Sequence, residues 1–216
     1  MIQNNKAHVI GTICSPFIYD HYVCGEEFYN VYISTLRTSG TADVLLVKVS
    51  AKIVDVKQDM TGHRIEITGS FRSYNAHDYD RNTLVLYIWA DSFLETDSYD
   101  IDHIDMIGYL CRDPKYRRTP LGREVTDMII AINRDHNSAS DYLPVIAWGR
   151  NAFYASGLKI GDMIIASGRI QSREYTKIID GASYERIAYE VSISRLEAVG
   201  DENADNGEIQ EDAVLQ

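Results

Sequence analysis

The sequence is poor in cysteine, with Cys14, Cys24 and Cys111 the three among 216 residues. They are too few and too scattered for a disulfide framework, and no Cys-x-x-Cys pair marks a zinc knuckle or a redox motif. A reducing cytoplasm is the expected compartment. No run of about 18 apolar residues occurs, so no transmembrane helix and no membrane partner are expected. The opening MIQNNKAHVIGTIC lacks the basic-then-apolar pattern of a secretory signal. Six histidines are dispersed without a His-x-x-x-His pair, so no metal site is expected. Asp97, Asp100, Asp102 and Asp105 cluster, but the turn glycine of a calcium loop is missing, and a solvated linker is the better reading. No phosphate-binding loop or nucleophile elbow is present. No catalytic residues and no cofactor are assigned, and the chain is not expected to be an enzyme.

Positive charge is also short. Lys and Arg number 21 against 32 Asp and Glu, for a net charge of -11. That total argues against a generally basic nucleic-acid binder. The distribution is uneven, however. Residues 1–103 carry 8 Lys/Arg against 14 Asp/Glu, residues 104–198 carry 13 against 12, and residues 199–216 carry none against 6. Only the middle section is able to show an anion a positive face.

An internal repeat runs at a spacing of about 97 residues. Val9-Ile10-Gly11-Thr12-Ile13-Cys14 aligns with Met106-Ile107-Gly108-Tyr109-Leu110-Cys111. Gly25 falls on Gly122 and Arg37 on Arg134. With slowly drifting offset, Asp43-Val44-Leu45-Leu46-Val47 meets Asp141-Tyr142-Leu143-Pro144-Val145, and Ile67-Thr68-Gly69-Ser70-Phe71 meets Ala166-Ser167-Gly168-Arg169-Ile170. Five matches in order indicate duplication of one fold of about 100 residues.

Each half reads as strand after strand. In the second, strands are expected near 105–112, 123–134, 141–149, 161–175 and 185–197, with turn signals between them. A short helix is expected over Asn151–Gly157, between the third and fourth strands. Five strands and one helix so placed fit a five-stranded Greek-key barrel, the OB-fold. The chain is therefore expected to be all-β. It would hold two tandem OB-folds, over 1–103 and 104–198, and a disordered acidic C-terminal tail over 199–216. Residues 90–105 read as an ordered last strand running into a short linker. Gly11, Gly108 and Gly168 suit the sharp bends of a small barrel.

The segment Asp141–Arg150 carries an unusual pattern. Leu143, Val145 and Ala147 share one strand face and make a plain core stripe. Tyr142, Pro144, Ile146 and Trp148 share the other, with Arg150 following in phase. The first half, at Asp43–Ser50, keeps the core stripe and drops both rings: Val44 stands for Tyr142 and Ser50 for Trp148. The rings are thus dispensable to the fold. A core role for Trp148 and ordinary solvation of the arginines are the competing readings. Pro144 marks an edge or a bulge.

The second half resembles the bacterial single-stranded DNA-binding protein family. The matching residues include Gly108, Arg112-Asp113-Pro114, Arg118–Gly122, Ala131–Arg134 and Asp141–Ala152. They continue with Gly161-Asp162, Gly168–Tyr175 and Tyr189-Glu190-Val191. The resemblance implies an OB-fold that binds single-stranded DNA, with bases stacked on Tyr142, Trp148 and Tyr175. It implies phosphate contacts from Arg134, Arg150, Arg169 and Arg173, and secondarily from Lys115, Arg117 and Arg118. Four OB-folds usually work together in that family, so two per chain imply a homodimer. It implies a cytoplasmic, nucleoid-associated protein of DNA replication, recombination or repair. The family's tail ends in a Pro-Phe tip that docks replication proteins. This sequence ends Asp212-Ala213-Val214-Leu215-Gln216, which puts that docking in doubt.

These residue types suit binding that ignores sequence. Every base has a π-face, so stacking on an aromatic ring tolerates any base. The phosphates form a regular line that Arg and Lys follow, at the cost of salt sensitivity. Tyr142 and Trp148 lie roughly 20 Å apart along a strand at about 3.3 Å per residue, enough for separate nucleotides. The first OB-fold is expected to serve assembly or weak DNA contact. The alternative for the whole chain is an OB-fold protein-interaction module of a replication assembly with little DNA affinity.

Overall fold

The structure, a computed structural model, describes residues 4–78, 81–134, 139–179 and 182–199. The acidic tail expected beyond 199 lies outside the described residues. Six strands build the first half: β1 (Asn5–Ile13), β2 (Ile18–Val23), β3 (Glu26–Leu36), β4 (Ala42–Ser50), β5 (Arg64–Asp78) and β6 (Arg81–Glu95). The second half repeats them as β7 (Ile101–Leu110), β8 (Lys115–Arg118), β9 (Glu124–Asn133), β10 (Ser140–Trp148), β11 (Met163–Ile179) and β12 (Ala182–Val199). One helix, α1 (Arg150–Ser156), lies between β10 and β11.

Each half closes in the same way. In the first, β1 turns from β5 to β3 at Thr12 and Ile13, and β4 meets β6 in parallel at Val47 and Lys48. In the second, β7 turns from β11 to β9 at Tyr109 and Leu110, and β10 meets β12 at Val145 and Ile146. These are repeat-equivalent positions, so both halves are five-stranded OB barrels with one extra edge strand, β2 or β8. Glycine permits the closure. A Cβ on Gly11 would lie 2.4 Å from the Ser34 carbonyl oxygen, and one on Gly108 would lie 2.5 Å from that of Ala131. No side chain fits where a strand crosses that close to its neighbour's backbone.

The core stripe is as the sequence pattern predicts: Leu143, Val145 and Ala147 are buried among Met106, Ile130, Ile164 and Val191. The helix starts one residue earlier than expected. Gly149 has φ 54°, which breaks the strand, so Arg150 opens the helix and leaves the strand's phase. The first barrel carries turns at 51–63 in place of a helix, and Met60 and Val54 pack on its core from there. The strand β8 was not expected, because Pro114 and Pro120 flank its four residues and mask them as a loop. Pro144 occupies an edge position on β10. The N–H of Tyr142, two residues earlier, points away from β9, so the Pro144 nitrogen does too, and β12 joins β10 from Val145 onward. Its missing donor costs no ladder bond.

The barrels join through β1 and β7, antiparallel, from Asn5↔Met106 to Ile10↔Ile101. Ala7 faces Ile104, its own repeat equivalent. A local twofold therefore passes through that pair, and each contact across the junction has a mate. Asp141 is buried and binds the first barrel: it accepts from the Ser73 N–H at 2.6 Å, from Arg72 at 3.3 Å and from Arg134 at 2.7 and 3.1 Å. Ser73 returns its Oγ to the Tyr142 N–H at 2.7 Å and its carbonyl to Arg134 at 2.8 Å. The mate is Asp43, which accepts from the Ser172 N–H at 2.6 Å, from both arms of Arg37 at 2.6 Å and from Arg169 at 3.4 Å. Ser172 Oγ accepts from the Val44 N–H at 2.9 Å.

The acidic run leads into β7, which carries Asp102 and Asp105, and past the exposed Asp97 it is tied to the barrels. Asp100 takes the Leu36 N–H at 2.7 Å and Arg64 at 2.6 Å, Asp102 takes the Ile170 N–H at 2.9 Å, and Asp105 takes the Ser167 hydroxyl at 2.7 Å. Unpaired N–H groups at the barrel junction need acceptors, and these carboxylates supply them.

Candidate nucleic-acid interface

The second barrel places its three rings on two strands, β10 and β11. Tyr142, early on β10, is 47% exposed. Trp148 ends β10 half-buried, with its indole N–H donating to Ser192 Oγ at 3.2 Å. That bond holds the ring's edge on β12. Trp148 lines an open concavity of about 630 Å³ with Arg118, Gly122, Arg123, Glu124 and Gly149. Tyr175, on the long β11–β12 hairpin, has the Arg173 guanidinium 5.8 Å from its ring centre. Tyr175 also lines a groove of about 520 Å³ between the barrels, with Tyr32, Leu46 and Leu84 from the first and Pro144, Ile187 and Tyr189 from the second.

The basic residues divide into two groups. Arg150, Arg173 and Lys115 are exposed, and none has an ion-pair partner among the described residues. Arg117 grips Asp127 at 2.5 and 3.1 Å, and Arg118 meets Glu124 at 3.2 Å, both on the surface. Arg134 and Arg169 belong to the junction. Arg134 is bound on two sides by Asp141 and Ser73, and the Asp141 bonds push its affinity for its proton above the guanidinium's ordinary value. Arg169 is shared between Asp43 and Gln171. Sequence reasoning missed two exposed residues of this surface. Arg123 lines the Trp148 concavity, and Tyr116 on β8 is 42% exposed. The signal for Arg123 was its place directly after Gly122, at φ 77° in the turn.

The equivalent face of the first barrel is closed on itself. Ser50, which stands for Trp148, is buried and bonded to Glu26. Trp89 lies on Phe28 with centroids 4.7 Å apart, and His21 stacks on the same Phe28 ring at 5.0 Å. Lys48 is buried, bonded to Asp20 at 2.5 Å and Asn30 at 3.1 Å, and sits over Tyr74 and Tyr87. By strand register, His21 stands for Arg117 and Tyr22 for Arg118, with Asp20 at the bulge before them. Burial raises the Asp20 carboxyl, but the bonds from Lys48, His21 and Asn30 outweigh it and hold the group below its ordinary value. This face thus lacks the two arginines of the second barrel, and its buried lysine is neutralised by Asp20.

The profile of the Single-strand binding protein family matches residues 101–199. The second barrel is similar to that family. It is 36% identical over 81 residues to a single-stranded DNA-binding protein of Clostridium tetani, covering 35% of this chain and 56% of the relative. It is 32% identical over 81 residues to single-stranded DNA-binding protein A of Bacillus subtilis, covering 35% and 47%. The match spans about half the length of these relatives. The wild-type single-stranded DNA binding protein of Thermus aquaticus superposes with a TM-score of 0.74 at 20% identity, over 94% of this chain and 96% of that one. That likeness covers both barrels and shows the tandem fold. No helix among the described residues is long and apolar enough to cross a membrane.

Proposed function

We propose that the chain binds single-stranded DNA without regard to sequence, through the second barrel. The contrast between the barrels carries this reading. One leaves Tyr142, Trp148 and Tyr175 accessible beside Arg150, Arg173 and Lys115, whereas the other fills the same face with its own stacked rings and a buried lysine. Bases would stack on the three rings, and the strand would follow the unpaired cations, with Arg117, Arg118 and Arg123 at the Trp148 end. Arg134 and Arg169 would hold the junction and meet phosphates less. No bond rearrangement is involved, so no cofactor is called for.

The first barrel would serve assembly. Its edge strand β2 exposes Ile18, Tyr19, Tyr22 and Val23 on either side of the paired Asp20 and His21, an edge able to pair with another chain. A homodimer would bring four OB-folds together for protection of single strands in replication, recombination or repair. The test is quenching of Trp148 emission by oligo(dT) in a Trp89→Phe background, titrated at several salt concentrations alongside a mass measurement. Quenching at low salt that weakens steeply with added salt is expected. Absence of quenching at low salt would refute DNA binding. An affinity insensitive to salt would favour the protein-interaction reading.

A further inference from the structure

The two barrels differ at one buried point of the junction. In the first, β1 and β5 stop pairing beyond Ala7↔Gly69, and the Asn5 side chain continues the ladder. Its Oδ1 accepts from the Phe71 N–H at 3.0 Å and its Nδ2 donates to the Phe71 carbonyl at 2.6 Å. In the second, β7 and β11 stop pairing at Ile104↔Gly168, and the repeat puts Asp102 in Asn5's place and Ile170 in Phe71's. Asp102 Oδ1 accepts from the Ile170 N–H at 2.9 Å. Its Oδ2 is sealed from solvent and is the sole buried side-chain polar atom without a hydrogen-bond partner among the described residues.

A residue's N–H and C=O leave a strand on the same side. The Ile170 carbonyl therefore faces Asp102, as the Phe71 carbonyl faces Asn5. A carboxylate has no donor to offer it, and two acceptors would oppose each other. A carboxylic acid has one. We propose that Asp102 works as a neutral acid that donates Oδ2–H to the Ile170 carbonyl, reproducing the Asn5 pair and making the junction a joint that loosens as pH rises.

The charged surroundings agree. From β4, Asp43 repels a charge on Asp102; from β11, Arg169 attracts it; and Arg37, just past β3, does the same. The carboxylates nearest it along the chain are engaged elsewhere, Asp100, just before β7, with Arg64 and Asp105 with Ser167 and His103. Across β1 the facing residue is Val9, which is apolar. Burial is the largest influence, and with Asp43 it outweighs the Ile170 N–H and the two arginines, raising the carboxyl from 3.8 to about 7.

The folded protein thus holds this proton more tightly than the unfolded chain. Its contribution to stability is complete below the unfolded value near 3.8 and is lost as pH rises through about 7. An ionised Asp102 would also act on Asp43, which anchors Ser172 three residues before Tyr175. The joint therefore bears on the hairpin that carries Arg173 and Tyr175, although the inference rests on the repeat and the packing and not on DNA binding.

The test compares the full chain with Asp102→Asn and with Asn5→Asp. Infrared difference spectra of wild type minus D102N should show a protonated carboxyl stretch at about pH 5.5 that fades by about pH 8.5. D102N should lose much of the wild-type fall in Tm over that range and should match or exceed wild type at its upper end. N5D should gain a second protonated carboxyl and a steeper fall. No carboxylic band in wild type, an unaltered pH dependence of Tm in D102N, or a D102N chain that does not fold would each overturn the proposal.

Discussion

Trp148 is held by its edge and open on its face. The Ser192 bond fixes the indole, and the concavity with Arg118 and Arg123 leaves room for a base against it. Trp148→Ala should weaken oligo(dT) binding by about 1–3 kcal/mol, as loss of one stacking platform does. Binding titrations at fixed low salt measure this, and an unchanged affinity would remove Trp148 from the interface. The arginines separate by the same kind of reasoning. Arg150 is exposed and free of ion pairs among the described residues, so Arg150→Gln should lower the salt slope by about 0.7 if it meets one phosphate. Arg134→Gln should instead lower Tm, because its guanidinium already serves Asp141 and Ser73. A salt slope that drops for R134Q with Tm unchanged would reverse that division.

Among the strands, the informative ones lie at the junction. Asp141 is 1% exposed and gathers two arginines and a backbone N–H. Asp141→Ala would strand those donors. Losing one partner of a buried pair costs about 3–5 kcal/mol, reduced here because both arginines keep some solvent, so about 2–3 kcal/mol is expected in urea unfolding. A cost below about 0.5 kcal/mol would mean that water replaces the carboxylate and that the contact does not hold the barrels together. This clamp also shows where the sequence stops being legible. The alternation of Leu143, Val145 and Ala147 announces the core, and the aligned glycines announce the duplication, because both are local patterns. The cross-barrel partners of Arg134 and Arg169 are not local: Ser73 is 61 residues away and Asp43 is 126. Read along the chain, both arginines resemble free cations beside a stacking surface. The same holds for Asp102, which looks like one acid in a solvated run until the pairing of β7 with β1 encloses it. Tyr116 escaped because flanking prolines suggested a loop where β8 forms.

The whole molecule is a duplicated barrel paired with itself. Its local twofold passes between Ala7 and Ile104, and the clamps at Asp43 and Asp141 are mates across it. The first barrel thus occupies a place that a second copy of the other barrel would fit. Residues 101–199 alone would expose the β7 edge, which is paired with β1 in the full chain. Two such edges, antiparallel about Ile104, would set His103 of each opposite Asp105 of the other, a favourable cross-strand pair. Asp141 of each would meet Ser172 of the other, since Asp141 already takes Ser73 and Asp43 already takes Ser172 in the same geometry. The isolated segment should therefore sediment as a dimer at micromolar concentration, and Ile104→Lys on the axis should make it monomeric or unfolded. A wild-type segment that is folded by circular dichroism yet monomeric would show that the first barrel holds the second through contacts a copy does not reproduce. Asn5, Arg72 and Ser70, which differ from their mates Asp102, Gln171 and Arg169, would then be the first places to look.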